Sequence, residues 1–215
     1  MEKLMIKLPE DILKKAIKGL SYIGHPLRIR ILEYLDVNGL SSVSEITKGL
    51  NQDQIMISQN LKKLRDANLV KTTRKGVFIY YDIYEEYPAS IFKCIRKLFG
   101  AMSNQEKFLT DGYKEILPVD FMTIVAGRIK LFANHDKMRI LNYLLENGES
   151  FVSQIVNDTG IKQTKVSLYL KRLSDDEFIK SRKDGRYIFY EITKGVHKTA
   201  LQCIHNRYSL VGNNF

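Results

Sequence analysis

Apolar positions along the chain recur first at helical spacing, then at strand spacing, and then the whole pattern begins again. Behind Pro9, the residues Ile12, Leu13, Ala16, Ile17, Leu20 and Ile23 fall on one helical face. That predicts a first amphipathic helix with proline in its opening turn. Leu27, Ile31, Leu32 and Leu35 predict a second, ended at Asn38-Gly39. Ser41 or Ser42 can cap a short third helix carrying Ile46 and Leu50. After a tight turn, Ile57, Leu61 and Leu64 set the inward face of a fourth. Residues 69–73 and 77–81 are then β-branched and aromatic, with Arg74-Lys75-Gly76 between them as a hairpin turn. Ile91, Ile95, Leu98 and Met102 predict a last helix.

A shift of 109 positions lays the chain on itself. Arg30-Ile31-Leu32-Glu33-Tyr34-Leu35 returns as Arg139-Ile140-Leu141-Asn142-Tyr143-Leu144, and residues 30–83 match 139–192 at 22 of 54 positions without a gap. The register extends outward to Leu8-Pro9 on Leu117-Pro118 and to Cys94 on Cys203. Two repeats therefore run 8–99 and 117–208. They predict domains at 1–102 and 117–215 with a connector at 103–116. The second hairpin turns at Lys183-Asp184-Gly185, and the second last helix carries Ala200, Leu201, Ile204 and Tyr208. The order α-α-α-α-β-β-α occurs twice. The expected fold is mainly α with small β-hairpins, an α+β arrangement of two tandem winged helix-turn-helix domains.

Composition narrows the function. With 27% charged and 44% hydrophobic residues, the 215-residue chain has an ordinary globular balance. No apolar run approaches the roughly 20 residues of a membrane span. Met1 to Lys7 lacks a signal-peptide pattern, and two cysteines make no disulfide framework, so a reducing cytoplasm is expected. Lys and Arg number 34 against 24 acids, a net charge of +10. Both halves share it: 18 bases against 12 acids in residues 1–107, and 16 against 12 thereafter. Such a balance favours a polyanionic partner. There is no Gly-rich phosphate loop, His-Glu-x-x-His or Gly-x-Ser-x-Gly, and His25, His135, His197 and His205 are scattered. Neither an enzyme nor a cofactor is expected.

The stretch Lys162-Gln163-Thr164-Lys165-Val166-Ser167-Leu168-Tyr169-Leu170-Lys171-Arg172-Leu173 resembles the recognition helix of the ArsR family of bacterial repressors, whose pattern is Gln-Ser-x-Val-Ser-x-His-Leu-Lys-x-Leu. His25-Pro26-Leu27-Arg28-Ile29-Arg30-Ile31-Leu32 resembles that family's second helix, and Gly185-Arg186-Tyr187-Ile188-Phe189-Tyr190 its wing. The resemblance covers both repeats. It implies a sequence-specific regulator of transcription, a repressor, bound to double-stranded DNA through two recognition helices and two wings.

On the second recognition helix, Val166, Leu170 and Leu173 take the core stripe, leaving Gln163, Thr164, Lys165, Ser167 and Tyr169 to project. Gln can pair bidentately with adenine, and Thr can touch a thymine methyl. Lys171 or Arg172 can hold phosphate. The matching face of the first repeat reads Gln54, Ile55, Met56, Ser58, Gln59 and Asn60, followed by Lys62. Ile55 and Met56 there suit thymine methyls, or a surface buried against something other than DNA. Arg74 and Lys75, then Lys183 and Arg186, place cations at the wing tips, where Arg can enter a narrow minor groove. Arg30 and Arg139, at matched positions, suit a structural ion pair as well as a phosphate.

Relatives in this family often sense metals, but the expected ligands are missing. The Cys-x-Cys positions of the third helix hold Ser42-Val43-Ser44 and Phe151-Val152-Ser153. On the last helix His197, Cys203 and His205 do not converge, so no metal site is expected. Cys94 and Cys203 are small apolar core residues on one reading and a redox pair on another. Two rival functions follow: a protein-interaction module without DNA binding, or a thiol-based redox regulator. The resemblance also implies pairing through first and last helices. Since both occur twice, the repeats can pair within one chain as a pseudo-dimer, or two chains can form a homodimer. The stretch between the repeats, residues 100–116, is about 17 residues long and, extended, reaches up to roughly 55 Å.

Overall fold

The computed structural model describes residues 10–84, 89–110 and 112–193. Helices α1 (Glu10–Ile23) and α2 (Pro26–Asn38) lead to a two-residue strand, β1 (Ser41–Ser42). Then come α3 (Val43–Leu50), α4 (Gln54–Asp66) and the hairpin β2 (Val70–Lys75) and β3 (Phe78–Ile83). Helix α5 (Ala89–Ser103) and a 3-10 turn (Glu106–Leu109) follow. The second series is α6 (Val119–Phe132), α7 (His135–Asn147), β4 (Ser150–Phe151), α8 (Val152–Thr159), α9 (Gln163–Asp175), β5 (Ile179–Asp184) and β6 (Tyr187–Ile192). The α+β winged helix-turn-helix order expected from the pattern is present through the last helix in the first series and through β6 in the second. Pro9, Cys203 and the second last helix lie outside the described residues.

Each hairpin gains a third strand that the pattern does not announce. β1 pairs antiparallel with β3, Ser41 opposite Tyr81, and β4 pairs with β6, Ser150 opposite Tyr190. The sheet orders are β1-β3-β2 and β4-β6-β5. Two residues are too few to show an alternation, so only the backbone pairing reveals them.

The chain forms two compact units. One comprises Lys18–Ala133, and the other, among the described residues, comprises 10–17 and 134–193. These units are cut differently from the repeats. α6 opens the second repeat in sequence, yet it packs against α2 inside the 18–133 unit. There Met122, Val125, Ala126, Ile129 and Phe132 are buried alongside Leu27, Ile31 and Leu35. The approach is close at Gly24, where an added Cβ would stand 2.9 Å from the Lys130 backbone nitrogen. A sequence period counts copies and is silent about which copy a helix packs on.

Much of the connector is packed onto the 18–133 unit, not strung out. Phe108 is buried, its ring edge-on to Phe99 at 4.9 Å and to Tyr113 at 5.3 Å. Lys114 Nζ donates to the Asp36 carbonyl at 2.9 Å, and the Leu117 N–H donates to Glu33 Oε1 at 2.8 Å. Beneath it, Arg96 and Asp36 form a buried ion pair at 2.5 Å. Of the last-helix stripe, Ile95 is buried but Met102 is exposed.

In the other unit Met138, Ile140, Leu141, Leu144, Ile155, Val166, Leu170, Leu173, Phe178 and Ile179 form the core. The same positions of the repeat fill both cores, so the two units share one packing scheme. Among the described residues, no helix is long and apolar enough to cross a membrane.

Candidate nucleic-acid interface

Helix α9 is held by one face. Val166, Leu170 and Leu173 are fully buried, so Gln163, Thr164, Lys165, Ser167 and Leu168 are turned outward. Lys171 and Arg172 are exposed further along. No side chain caps its N-terminus, where Lys162 stands. Its leading N–H groups and that cation suit a phosphate oxygen. Two of the expected side chains are less free than the rest. Lys165 Nζ stands 3.2 Å from Asp136 Oδ2 on the first turn of α7. Tyr169 is half-buried, its ring 5.9 Å from the Lys137 ammonium. Burial, with Arg172 nearby, lowers the Lys137 pKa against the opposing pull of Asp176.

Helix α4 presents a different face on the same frame. Ile57, Leu61 and Leu64 are buried, while Gln54, Ile55, Met56, Ser58, Gln59 and Lys62 are exposed. Ile55 keeps 67% of its surface and Met56 48%. Here the N-terminus is capped, Asp53 Oδ1 accepting from the Ile55 and Met56 N–H groups at 2.8 and 3.0 Å. A carboxylate therefore occupies the place that α9 leaves for an anion. Asn60 does not belong to the projecting set. It is buried and its Nδ2 donates to the Met56 carbonyl at 2.8 Å. Standing three after Ile57 and four before Leu64, it lies on the inward stripe, and that spacing was the signal for it.

The wings carry their cations partly engaged. Arg74 Nε donates to the Gly76 carbonyl at 3.1 Å, and Lys75 Nζ lies 5.4 Å over the Tyr80 ring. In the second wing, Arg186 donates to the Tyr187 hydroxyl at 2.7 Å, and Lys183 is exposed. Arg182 pairs bidentately with Glu149 at 3.0 and 2.9 Å and with Asp184 at 2.9 Å. Glu149 and then Asp184 raise the Arg182 pKa, and the bond from Arg182 lowers that of Glu149 against an opposing push from Asp184. The first wing also exposes three apolar residues absent from the expected site: Val77, Phe78 and Ile79. As a β-branched and aromatic run they read as strand interior, which hid their exposure.

Other candidates separate from this surface. Arg139 donates to the Thr159 carbonyl at the end of α8, a structural role, whereas Arg30 Nε is buried without a hydrogen bond. Ser42 caps α3, its Oγ accepting from Glu45 N and its own N–H donating to the Glu45 carboxylate. Among the described residues, no group of three His, Cys, Asp or Glu side chains could hold a metal ion. Cys94 is half-buried on α5, and Cys203 lies outside the described residues.

Comparison with known proteins gives matching likenesses. Residues 134–181 match the family described as "Bacterial regulatory protein, arsR family", and 23–73 match a "Helix-turn-helix domain". The chain is 32% identical over 85 residues to an uncharacterized HTH-type transcriptional regulator of Methanocaldococcus jannaschii, covering 40% of this chain and 96% of that protein. It is 34% identical over 119 residues to the nodulation protein NolR of Rhizobium meliloti, covering 54% and 90%. The arsenical resistance operon repressor of Bacillus subtilis is 29% identical over 82 residues, covering 38% and 78%.

Proposed function

Because the chain belongs to the ArsR family of helix-turn-helix transcriptional regulators, we propose that it acts in the cytoplasm as a repressor that reads duplex DNA with α9 and α4. The observation that carries this is the outward face of α9. Gln163, Thr164 and Ser167 stand exposed on a helix whose other face is locked in the core. In the major groove Gln163 reaches an adenine edge and Thr164 a thymine methyl. Lys171 and Arg172 grip phosphates, which sets register without reading sequence. α4 contributes Gln54, Ser58 and Gln59 as polar readers, with Ile55 and Met56 against thymine methyls. Because the matched faces differ, the two half-sites differ too. We assign the chain no enzymatic role, and the interaction-module and thiol-switch alternatives are not favoured by the family likeness.

The same reading makes one chain equivalent to a pair. The 85 residues matched in the archaeal regulator are 96% of that protein, about one repeat, whereas this chain has two. Packing of α6 on α2 supports an exchange of first helices between repeats. With its connector held down, the partner repeat is supplied at high effective concentration.

The experiment is selection of bound fragments from a random duplex pool with the whole chain. For about six neutralised phosphates, affinity should fall on the order of a thousandfold between about 50 and 200 mM salt. Replacing Gln163, Thr164 and Ser167 together by Ala should abolish preference while weak binding persists. Equal affinity of the unaltered chain for recovered and random duplexes would sink the proposal.

A further inference from the structure

The two wings share a frame but differ at their tips. In the first, Lys75 faces Phe78 and Arg74 faces Ile79, so Gly76 and Val77 make the two-residue turn. Gly76 takes φ 62°, as such a turn requires. Val77 retains 82% of its surface and Phe78 62%, so the most projecting side chains of this wing are apolar. They are collared by cations, with Arg74 bound to the Gly76 carbonyl and Lys75 lying over Tyr80. The strand Lys71-Thr72-Thr73-Arg74-Lys75 contains no acid. In the second wing Asp184, Arg186 and Tyr187 occupy the places of Lys75, Val77 and Phe78. A guanidinium there thus replaces an isopropyl group here.

We propose that the first wing enters the minor groove as an apolar wedge, Val77 and Phe78 inserting at a base step while Arg74 and Lys75 hold the flanking phosphates. This rests on the DNA-binding reading above. An apolar tip inside a basic collar matches a polyanion with an apolar interior, and the wing is continuous with the recognition surface. β2 follows α4 after three residues, and the two pack together in one unit. Wedges of this kind unstack one step and kink the duplex by about 20–90° toward the major groove. The kink goes most easily into a flexible pyrimidine–purine step. The second wing, with Arg186, reads groove width without a wedge. The chain thus bends one half-site and not the other.

The test uses the intact chain and duplexes of about 30 base pairs recovered by selection, with dyes at both ends and 2-aminopurine at the wing-proximal steps. Three variants are compared: V77S/F78S, the conservative F78L, and R186A in the other wing. The unaltered chain and F78L should shorten the end-to-end distance and brighten one 2-aminopurine. V77S/F78S should still bind but lose both signals, while R186A should weaken binding and keep the bend. An undiminished bend with V77S/F78S overturns the wedge and leaves the DNA reading standing. So does an unbent complex of the unaltered chain, or a V77S/F78S phenotype confined to a changed mass in light scattering. The last result would mean that the tip docks a second copy. Failure of the unaltered chain to bind any duplex overturns the DNA reading itself.

Discussion

Glu33 is a carboxylate with almost no water. It is fully buried on α2, accepts the Leu117 N–H on Oε1, and leaves Oε2 without a hydrogen bond. Burial raises its pKa from 4.5 to about 7, with Asp36 adding to the rise and the Leu117 N–H, Arg96 and Arg30 opposing it. The folded protein therefore holds this proton more tightly than the unfolded chain. Stability from Glu33 is complete below pH 4.5, declines as pH rises to about 7, and is flat beyond. The full effect is about 3 kcal/mol. Glu33→Gln keeps an acceptor for Leu117 and removes the charge. It should match the unaltered chain near pH 5 and melt several degrees higher near pH 8. Thermal unfolding across this range checks it, and an unchanged pH slope counts against it. Asn142 at the matched position already lacks the charge. Single residues such as Glu33 and Asn60 were only half legible. Spacing tells which face of a helix they occupy, but not what waits opposite.

Between elements, α2 and α5 meet through the Asp36–Arg96 pair, both side chains under 5% exposed. Arg96 Nε also reaches the Glu115 carbonyl at 3.4 Å, so the pair ties two helices to the connector. Arg96→Leu alone strands a buried carboxylate, with the half-exposed Lys114 3.8 Å away as its remaining ion-pair partner among the described residues. That should cost about 3–5 kcal/mol. Adding Asp36→Leu, the residue type that Leu145 supplies in the second repeat, should recover most of the loss. Urea unfolding reads both from the midpoint at constant slope; a double variant no better than the single would mean that the charges are not coupled. Sixty residues separate the partners, so nothing in the periodicity of α5 could reveal them. The helices themselves were legible because Leu27, Ile31 and Leu35 or Ile57, Leu61 and Leu64 repeat at 3.6-residue spacing. Strands β1 and β4 were not, since Ser41–Ser42 and Ser150–Phe151 are paired through backbone alone. Caps explain a further asymmetry: Asp53 shields the N-terminus of α4, whereas Lys162 leaves that of α9 open to phosphate. On the DNA-binding reading proposed above, α9 should therefore be the stronger phosphate anchor of the two.

For the molecule as a whole, the decisive quantity is how many chains make one binding surface. A homodimer of single-repeat chains presents two identical recognition helices and selects a palindrome. This chain supplies two unlike ones, Gln54-Ile55-Met56 and Gln163-Thr164-Lys165. A self-contained pseudo-dimer should therefore prefer an imperfect palindrome. The tandem repeat was plain in the sequence, but the packing of α6 on α2 was not, because identical periodicity suits a helix folded on either copy. That packing, with Phe108 and Leu117 buried, ties much of the connector down and, on the pseudo-dimer reading, would lower the entropic cost of pairing the repeats within one chain. Light scattering at micromolar concentration should give a mass near the 24.9 kDa of one chain. A mass of about 50 kDa would mean a C2 dimer bearing four winged helices, and would reject the pseudo-dimer as the form in free solution. The selected DNA gives an independent reading of the same question. One chain should protect two unlike half-sites, whereas a dimer of chains should protect four, arranged as an inverted repeat of that unlike pair.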